Sequence, residues 1–252
     1  MTRIALQAVS RSFGGVTAVR DLSLTVPEGH MTGLIGPNGA GKTTVLNLIT
    51  GIVPPTAGRV AIGDRDVTGA APETIARAGV ARTFQNIRLL REASVLENVM
   101  VGFHRHEETS LAANLLGLPP AWRERASFKE RAQALLDRFG MSRYASARAD
   151  SLSYGHQRRV EMMRALATGP NFMLLDEPVA GMNQVEADEI GEILKTLVAD
   201  GLGILLIEHN VSFVMDLCGT IYVMNTGQLI ATGRPETVQR DPAVIEAYLG
   251  AP

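Results

Sequence analysis

The stretch Gly36-Pro-Asn-Gly-Ala-Gly-Lys-Thr-Thr44 constrains this chain more than any other. It completes the pattern G-x-x-x-x-G-K-[S/T] directly after the apolar run Met31 to Ile35. Ordinary residue frequencies yield on the order of one chance match per hundred chains of this size. The glycines at 36, 39 and 41 let successive backbone N–H groups curl around an anion, and the helix that follows adds its positive N-terminal end. Pro37, Asn38 and Ala40 complete the loop. Lys42 is placed to reach the β- and γ-phosphates of a nucleotide, and the Thr43 hydroxyl, followed by Thr44, to hold Mg²⁺.

A buried strand that turns into a helix through such a loop belongs to an α/β sheet, and the rest of the chain agrees. Met31 to Ile35, Phe172 to Leu175 and Gly203 to Ile207 are nearly continuous apolar runs, as expected of parallel strands covered on both faces. Ile4 to Val9, Leu22 to Val26 and Arg59 to Ile62 instead suggest short strands of a mostly antiparallel unit. Helical patterns fall at Lys42 to Ile49, at Glu186 to Leu197 with Ile190, Ile193, Leu194 and Leu197 on one stripe, and at Val211 to Leu217. From Ser94 to about Leu166 strand patterns vanish. Ser94 and Glu97 have capping-box spacing, and Phe128, Ala132, Leu135 and Phe139 recur at helical spacing before Gly140. These features predict one domain over 1–252: a P-loop core with an antiparallel β subdomain and an all-helical subdomain inserted at about 94–166.

A bound magnesium nucleotide calls for a carboxylate at the end of a neighbouring buried strand. Phe172-Met-Leu-Leu-Asp176-Glu177 supplies Asp176 for the metal and Glu177 to activate water, which makes hydrolysis the expected chemistry. Gln85, just after the strand-like Val80-Ala81, is a second candidate for Mg²⁺ or water. His209, beyond the run Gly203 to Ile207, is placed to touch a γ-phosphate. Leu152-Ser153-Tyr154-Gly155-His156 opens another helix with Ser153 as its N-cap, which makes a second anion-binding device. One chain with two such devices points to a head-to-tail dimer that sandwiches each nucleotide.

With these segments in this order the chain resembles the ATP-binding subunits of ABC transporters over nearly its full length. The resemblance implies a dimer closing on two ATP molecules with Mg²⁺. Phe13 would stack on adenine beside Val19, Gln85 would form the Q-loop, Ser153 and Gly155 with Tyr154 and His156 the signature acting in trans, Gly181 to Asn183 the D-loop, and His209 the switch histidine. Gly33 to Gly51, Ala81 to Leu89 and Val244 to Gly250 are similar to the ATPase subunits of branched-chain (hydrophobic) amino-acid importers. That implies pairing with itself or a paralogous ATPase subunit, two membrane permease subunits, an indirect link to a periplasmic or extracellular solute-binding protein, and a peripheral place on the cytoplasmic face of the inner membrane. Asn86 to Glu92 would be the groove for a permease helix. Importers of urea or amides are near neighbours. His156 stands where the family usually has Gln.

Composition narrows the rivals. A net charge of −2 gives no global pull toward nucleic acid, and no basic stretch with interleaved aromatics, tandem ATPase unit or coiled-coil insertion supports a soluble ABC protein working on ribosomes or nucleic acid. No Asn-Lys-x-Asp sequence reads guanine, which disfavours a GTPase. No run approaches the ~20 apolar residues of a spanning helix, and the N-terminus lacks a secretory apolar region. The single cysteine, Cys218, is expected to be a small core residue in a reducing compartment.

Overall fold

The computed structural model describes residues 2–83, 87–116 and 118–249. The chain divides into two compact units, one of Met1–Arg82, Asn171–Ala180 and Asp188–Pro252, the other of Thr83–Pro170 and Gly181–Ala187.

The first unit contains two sheets. β1 (Arg3–Phe13) and β2 (Val16–Pro27) form an antiparallel hairpin, and β4 (Ala57–Ile62) and β5 (Arg65–Asp66) extend it in the order β2-β1-β4-β5. β1 runs well past the apolar alternation that ends at Val9. The Gly14-Gly15 turn returns β2 alongside it, so Phe13 still pairs with Val16, while register shifts between Leu6 and Ser12 break the alternation.

The second sheet has the order β10-β9-β3-β8-β7-β6, from β3 (Met31–Ile35), β6 (Val80–Arg82), β7 (Phe172–Asp176), β8 (Gly203–Ile207), β9 (Thr220–Asn225) and β10 (Gln228–Gly233). All pairings except β9 with β10 are parallel. Every residue of β3, β7 and β8 is buried, which is why these strands read as unbroken apolar runs. Each buried leucine or isoleucine contributes roughly 1.5–3 kcal/mol. The core joins Ile4, Leu6 and Leu22 of the first sheet to Leu34, Leu174 and Leu205 of the second, with α1 (Lys42–Ile49) contributing Val45, Leu46 and Ile49.

The remaining helices of this unit are α2 (Pro72–Arg77), α8 (Val211–Leu217), α9 (Pro235–Val238) and α10 (Pro242–Leu249). Asn210 caps α8 by accepting from the Phe213 amide. Cys218 is 4% exposed, and burial pushes its thiol up to about 12.

The second unit is helical: α3 (Val95–Gly102), α4 (Leu111–Leu115), α5 (Pro119–Arg138) and α6 (Tyr154–Ala167). The Ser94–Glu97 capping box is formed in both directions. On α5 the buried stripe passes through Ala132 and Leu136 to Phe139, while Phe128 and Leu135 are only half-buried. The four residues expected at helical spacing lie on α5 and its C-cap, and Leu136, four residues after Ala132, is buried more deeply than Leu135. Phe103 stacks on Phe128 at 5.7 Å, and Arg131 lies 4.4 Å over the Phe103 ring. Inside α6, Arg158 and Glu161 form a 2.7 Å ion pair at 0% and 3% exposure. α7 (Gln184–Ala199) starts in this unit and continues in the first.

No described helix is long and apolar enough to cross a membrane.

Candidate functional site

The order β3-β8-β7-β6 brings four strand ends to one edge of the parallel sheet. Beyond Ile35 lies the phosphate loop, beyond Ile207 lie Glu208 and His209, and β7 ends in Asp176 and Glu177. β6 ends at Arg82. Ligands of open α/β sheets bind at such carboxyl-terminal edges.

The loop is shaped by backbone that side chains cannot follow. Gly36 has φ +151°, and a Cβ there would meet the Met224 carbonyl oxygen at 2.1 Å. Gly41 has φ +100° with the Ala18 carbonyl oxygen 2.5 Å from the same position. Gly41 is the N-cap of α1 and carries no capping side chain, so the first amides of the helix meet the loop without one. Asn38, Gly39 and Thr43 are exposed, Pro37 and Thr44 half-buried and Ala40 buried.

Lys42 turns back into the loop. Its Nζ donates to the carbonyl oxygens of Gly36 at 2.6 Å and Pro37 at 3.0 Å. Burial lowers its pKa from the ordinary lysine value, while the Glu177 and Asp176 carboxylates act in the opposite sense. The side chain is a cation held ready beside two acids.

Asp176 is met by a residue that motif reading passes over. Arg82 donates from Nη2 to Asp176 Oδ2 at 3.2 Å and from Nη1 to Asn47 Oδ1 of α1 at 2.7 Å. Both partners of the ion pair have 6% exposed side chains. Burial lowers the Arg82 pKa and Asp176 offsets part of that shift. Arg82 therefore joins three elements, β6, α1 and β7, at the carboxylate beside the loop. The signal in the sequence was an arginine at the end of a strand otherwise destined for burial.

Glu177 has φ +52°, a left-handed backbone that costs a non-glycine residue about 1 kcal/mol or more. Its amide donates to the Ile207 carbonyl at 2.9 Å. Its side chain accepts from His209, with Nε2 to Oε1 at 2.8 Å. A carboxylate aimed by an imidazole, beside a buried cation and a loop of amides, can hold a phosphate chain and take a proton from water. Glu208 lies under this pair at 4% exposure. It accepts from the amides of Val179 and His209 at 2.9 and 3.1 Å and raises no claim on the ligand. Its pKa is raised, chiefly by burial, with backbone hydrogen bonds in opposition. It ties the β7 and β8 loops together.

Phe13 ends β1 with 44% of its surface exposed and the Arg11 guanidinium 4.5 Å over its ring. Val19 is fully buried, and its Cγ2 lies 3.5 Å from where a Cβ on Gly41 would stand. It supports the loop from beneath. Gln85 lies outside the described residues, as does Asn86.

In the helical unit Ser153 is exposed and caps α6, its Oγ accepting from the His156 amide at 3.4 Å. Tyr154 is 45% exposed with its ring 3.5 Å from a Cβ position at Gly181, and Gly155 is buried against Met182 and Glu186. Asn183 and Glu186 cap α7 reciprocally, at 3.0 and 3.1 Å. The Asn at 183 thus performs the capping that an Asp would. A cleft of about 250 Å³ is lined by Ile87, Leu89, Arg91, Ala149, Asp150 and Gln157, and the neighbouring Leu90 is 52% exposed.

Residues 19–180 match the ABC transporter family, and residues 228–252 match the branched-chain amino acid ATP-binding cassette transporter family. The chain is 42% identical to the high-affinity branched-chain amino acid transport ATP-binding protein LivG of Salmonella typhimurium, covering 98% of this chain and 97% of that protein. It is 39% identical, at the same coverage, to BraF of Pseudomonas aeruginosa, which bears the same description. The lipopolysaccharide export system ATP-binding protein LptB of Escherichia coli is 35% identical over 99% of this chain and 98% of its own length. Among solved structures, an ATP-binding cassette from an ABC transporter in its ADP conformation superposes with a TM-score of 0.86 at 34% identity over 100% of both chains.

Proposed function

The chain belongs to the ABC transporter ATP-binding proteins, and from that premise we propose that it powers the import of branched-chain or other hydrophobic amino acids through membrane partners. What carries the hydrolytic part of this reading is the Glu177–His209 pair at 2.8 Å on the sheet edge that also bears the phosphate loop. The cargo rests on the printed names of LivG and BraF and on the match of residues 228–252.

In this reading the ATP phosphates occupy the loop of Gly36 to Thr44, and Lys42 leaves the carbonyls of Gly36 and Pro37 for the β- and γ-phosphate oxygens. Phe13 packs on the adenine. Water attacks the γ-phosphorus in line. Its oxygen forms the new P–O bond, the bond to the β–γ bridging oxygen breaks, and the water proton passes to Glu177, which His209 holds in place. Ser153, Tyr154, Gly155 and His156 of a second ATPase subunit, identical or paralogous, close the far side of the nucleotide. The Thr43 hydroxyl and the Asp176 carboxylate, hard oxygen donors on the loop side of the sheet edge, would hold Mg²⁺, with Gln85, outside the described residues, as the third candidate, and the ion would neutralise phosphate charge.

The whole chain acts as one ATP-binding domain, with the helical insertion at about 94–166 carrying the partner-facing signature. One permease subunit docks a helix at the cleft beside Leu89 and Leu90 of each chain, two permeases to the dimer, which places the chain peripherally on the cytoplasmic face of the inner membrane. A solute-binding protein delivers the cargo without touching it. A second reading keeps the ATPase role with another solute, such as urea or an amide, because the relatives of this chain include an ATP-binding protein named for a different cargo, the lipopolysaccharide export protein LptB.

Glu177→Gln is the direct test. It should bind ATP, lose about 10²-fold or more in turnover, and accumulate as a nucleotide-bound dimer. Full turnover would remove Glu177 as the base. For cargo, uptake of radiolabelled leucine, isoleucine, valine and urea by a deletion strain decides between the two readings.

A further inference from the structure

His156 departs from the family pattern, and the structure shows what it touches. Its Nδ1 lies 3.0 Å from Ser153 Oγ, the oxygen that already accepts from the His156 amide. The imidazole is half-buried and packs on the Tyr144 ring at 4.6 Å, tilted by 45°. Arg143 lies 4.8 Å over that same ring. Tyr154 and Glu186, the latter beside Gly155, are titratable groups on the same turn and on the α7 end packed against it.

We propose that His156 is a positioning residue that decides whether the Ser153 hydroxyl keeps its proton for a phosphate. The inference rests on the reading that Ser153 faces the nucleotide of a partner subunit. A serine hydroxyl has one proton and two lone pairs. When Nδ1 is bare it takes that proton, the His156 amide fills one lone pair, and Ser153 presents only the other outward, which an anionic phosphate oxygen repels. When Nδ1 carries a proton it donates to Oγ, the amide of His156 fills the other lone pair, and the O–H turns outward as a donor. The imidazolium always has that proton and adds positive charge where the γ-phosphate arrives. Closure on ATP is therefore favoured as pH falls through the range where histidine titrates. A glutamine at this position offers an amide donor at every pH.

The test measures the ATP concentration that half-dimerises the Glu177→Gln protein, by sedimentation between about pH 6 and about pH 8. With His156 present that concentration should rise about threefold or more toward the alkaline end. In Glu177→Gln/His156→Gln the rise should vanish, and in Glu177→Gln/His156→Ala the concentration should be high at both ends. His30, His104, His106 and His209 remain in all three proteins, so their titration cancels in the comparison. A rise that persists unchanged in the His156→Gln protein, or one absent from the parent, overturns the proposal while leaving the ATPase reading intact. Failure of the parent to bind ATP or dimerise at any pH overturns the reading of the site, and this inference with it.

Discussion

Asp176 is the residue on which most of the site's electrostatics converge. It is buried, Arg82 forms an ion pair with it at 3.2 Å, and Lys42 adds positive charge nearby. Removing one partner of such a pair leaves an uncompensated charge, at a cost of about 3–5 kcal/mol, whereas removing both is often close to neutral. Arg82→Met should accordingly lower stability by about that amount in urea unfolding, and Arg82→Met/Asp176→Asn should recover most of it. Equal stability of the single and double variants would show that the pair is not coupled. Cys218 makes a second residue-scale prediction. With its thiol pushed up to about 12 and its side chain buried, the folded protein should resist iodoacetamide at pH 8 and react only after denaturation. Cys218 was legible as a core position from its neighbours, and Asp176 as the acid at the end of a buried strand. Arg82 was not, because nothing local announces which carboxylate a lone arginine will meet 94 positions away.

At the scale of elements, strong local chemistry made boundaries readable. The Ser94–Glu97 box, the stop at Gly140 and the apolar runs of β3, β7 and β8 all specify structure within a few residues. Ser94→Ala removes the acceptor for the Glu97 amide and should cost about 1 kcal/mol, seen as a lower melting temperature, while Ser94→Thr should retain most of the stability. No shift in Ser94→Ala would mean that the start of α3 is held by its packing alone. The helical spacing of Phe128, Ala132, Leu135 and Phe139 announced α5, while packing alone decided that Leu136 is buried more deeply than Leu135. Glu177's left-handed backbone was equally hidden. Its φ is imposed by the amide's bond to Ile207 on β8 and not by its own residue type.

At the scale of the whole molecule, the sandwich of each nucleotide between two chains can be tested by complementation. Lys42→Ala disables the phosphate loop and Ser153→Arg blocks the second device. Mixed, the two should restore one intact composite site of each two, and so recover up to about half of the per-dimer ATPase activity in those mixed dimers. Activity no higher than that of either variant alone would count against action in trans.

The sequence by itself determined the phosphate loop, the acids at the end of β7, the alternation of strand and helix and the helical insertion. Each depends on residues adjacent in the chain or repeated at the period of one element. Only the tertiary structure decided that Arg82 bridges Asn47 and Asp176, that His209 reaches Glu177, and that His156 turns onto Ser153 against Tyr144. Strand order and helix-end geometry set those contacts. Local pattern can name the participants, but hydrogen bonding across a sheet edge or around a helix start selects which of them touch.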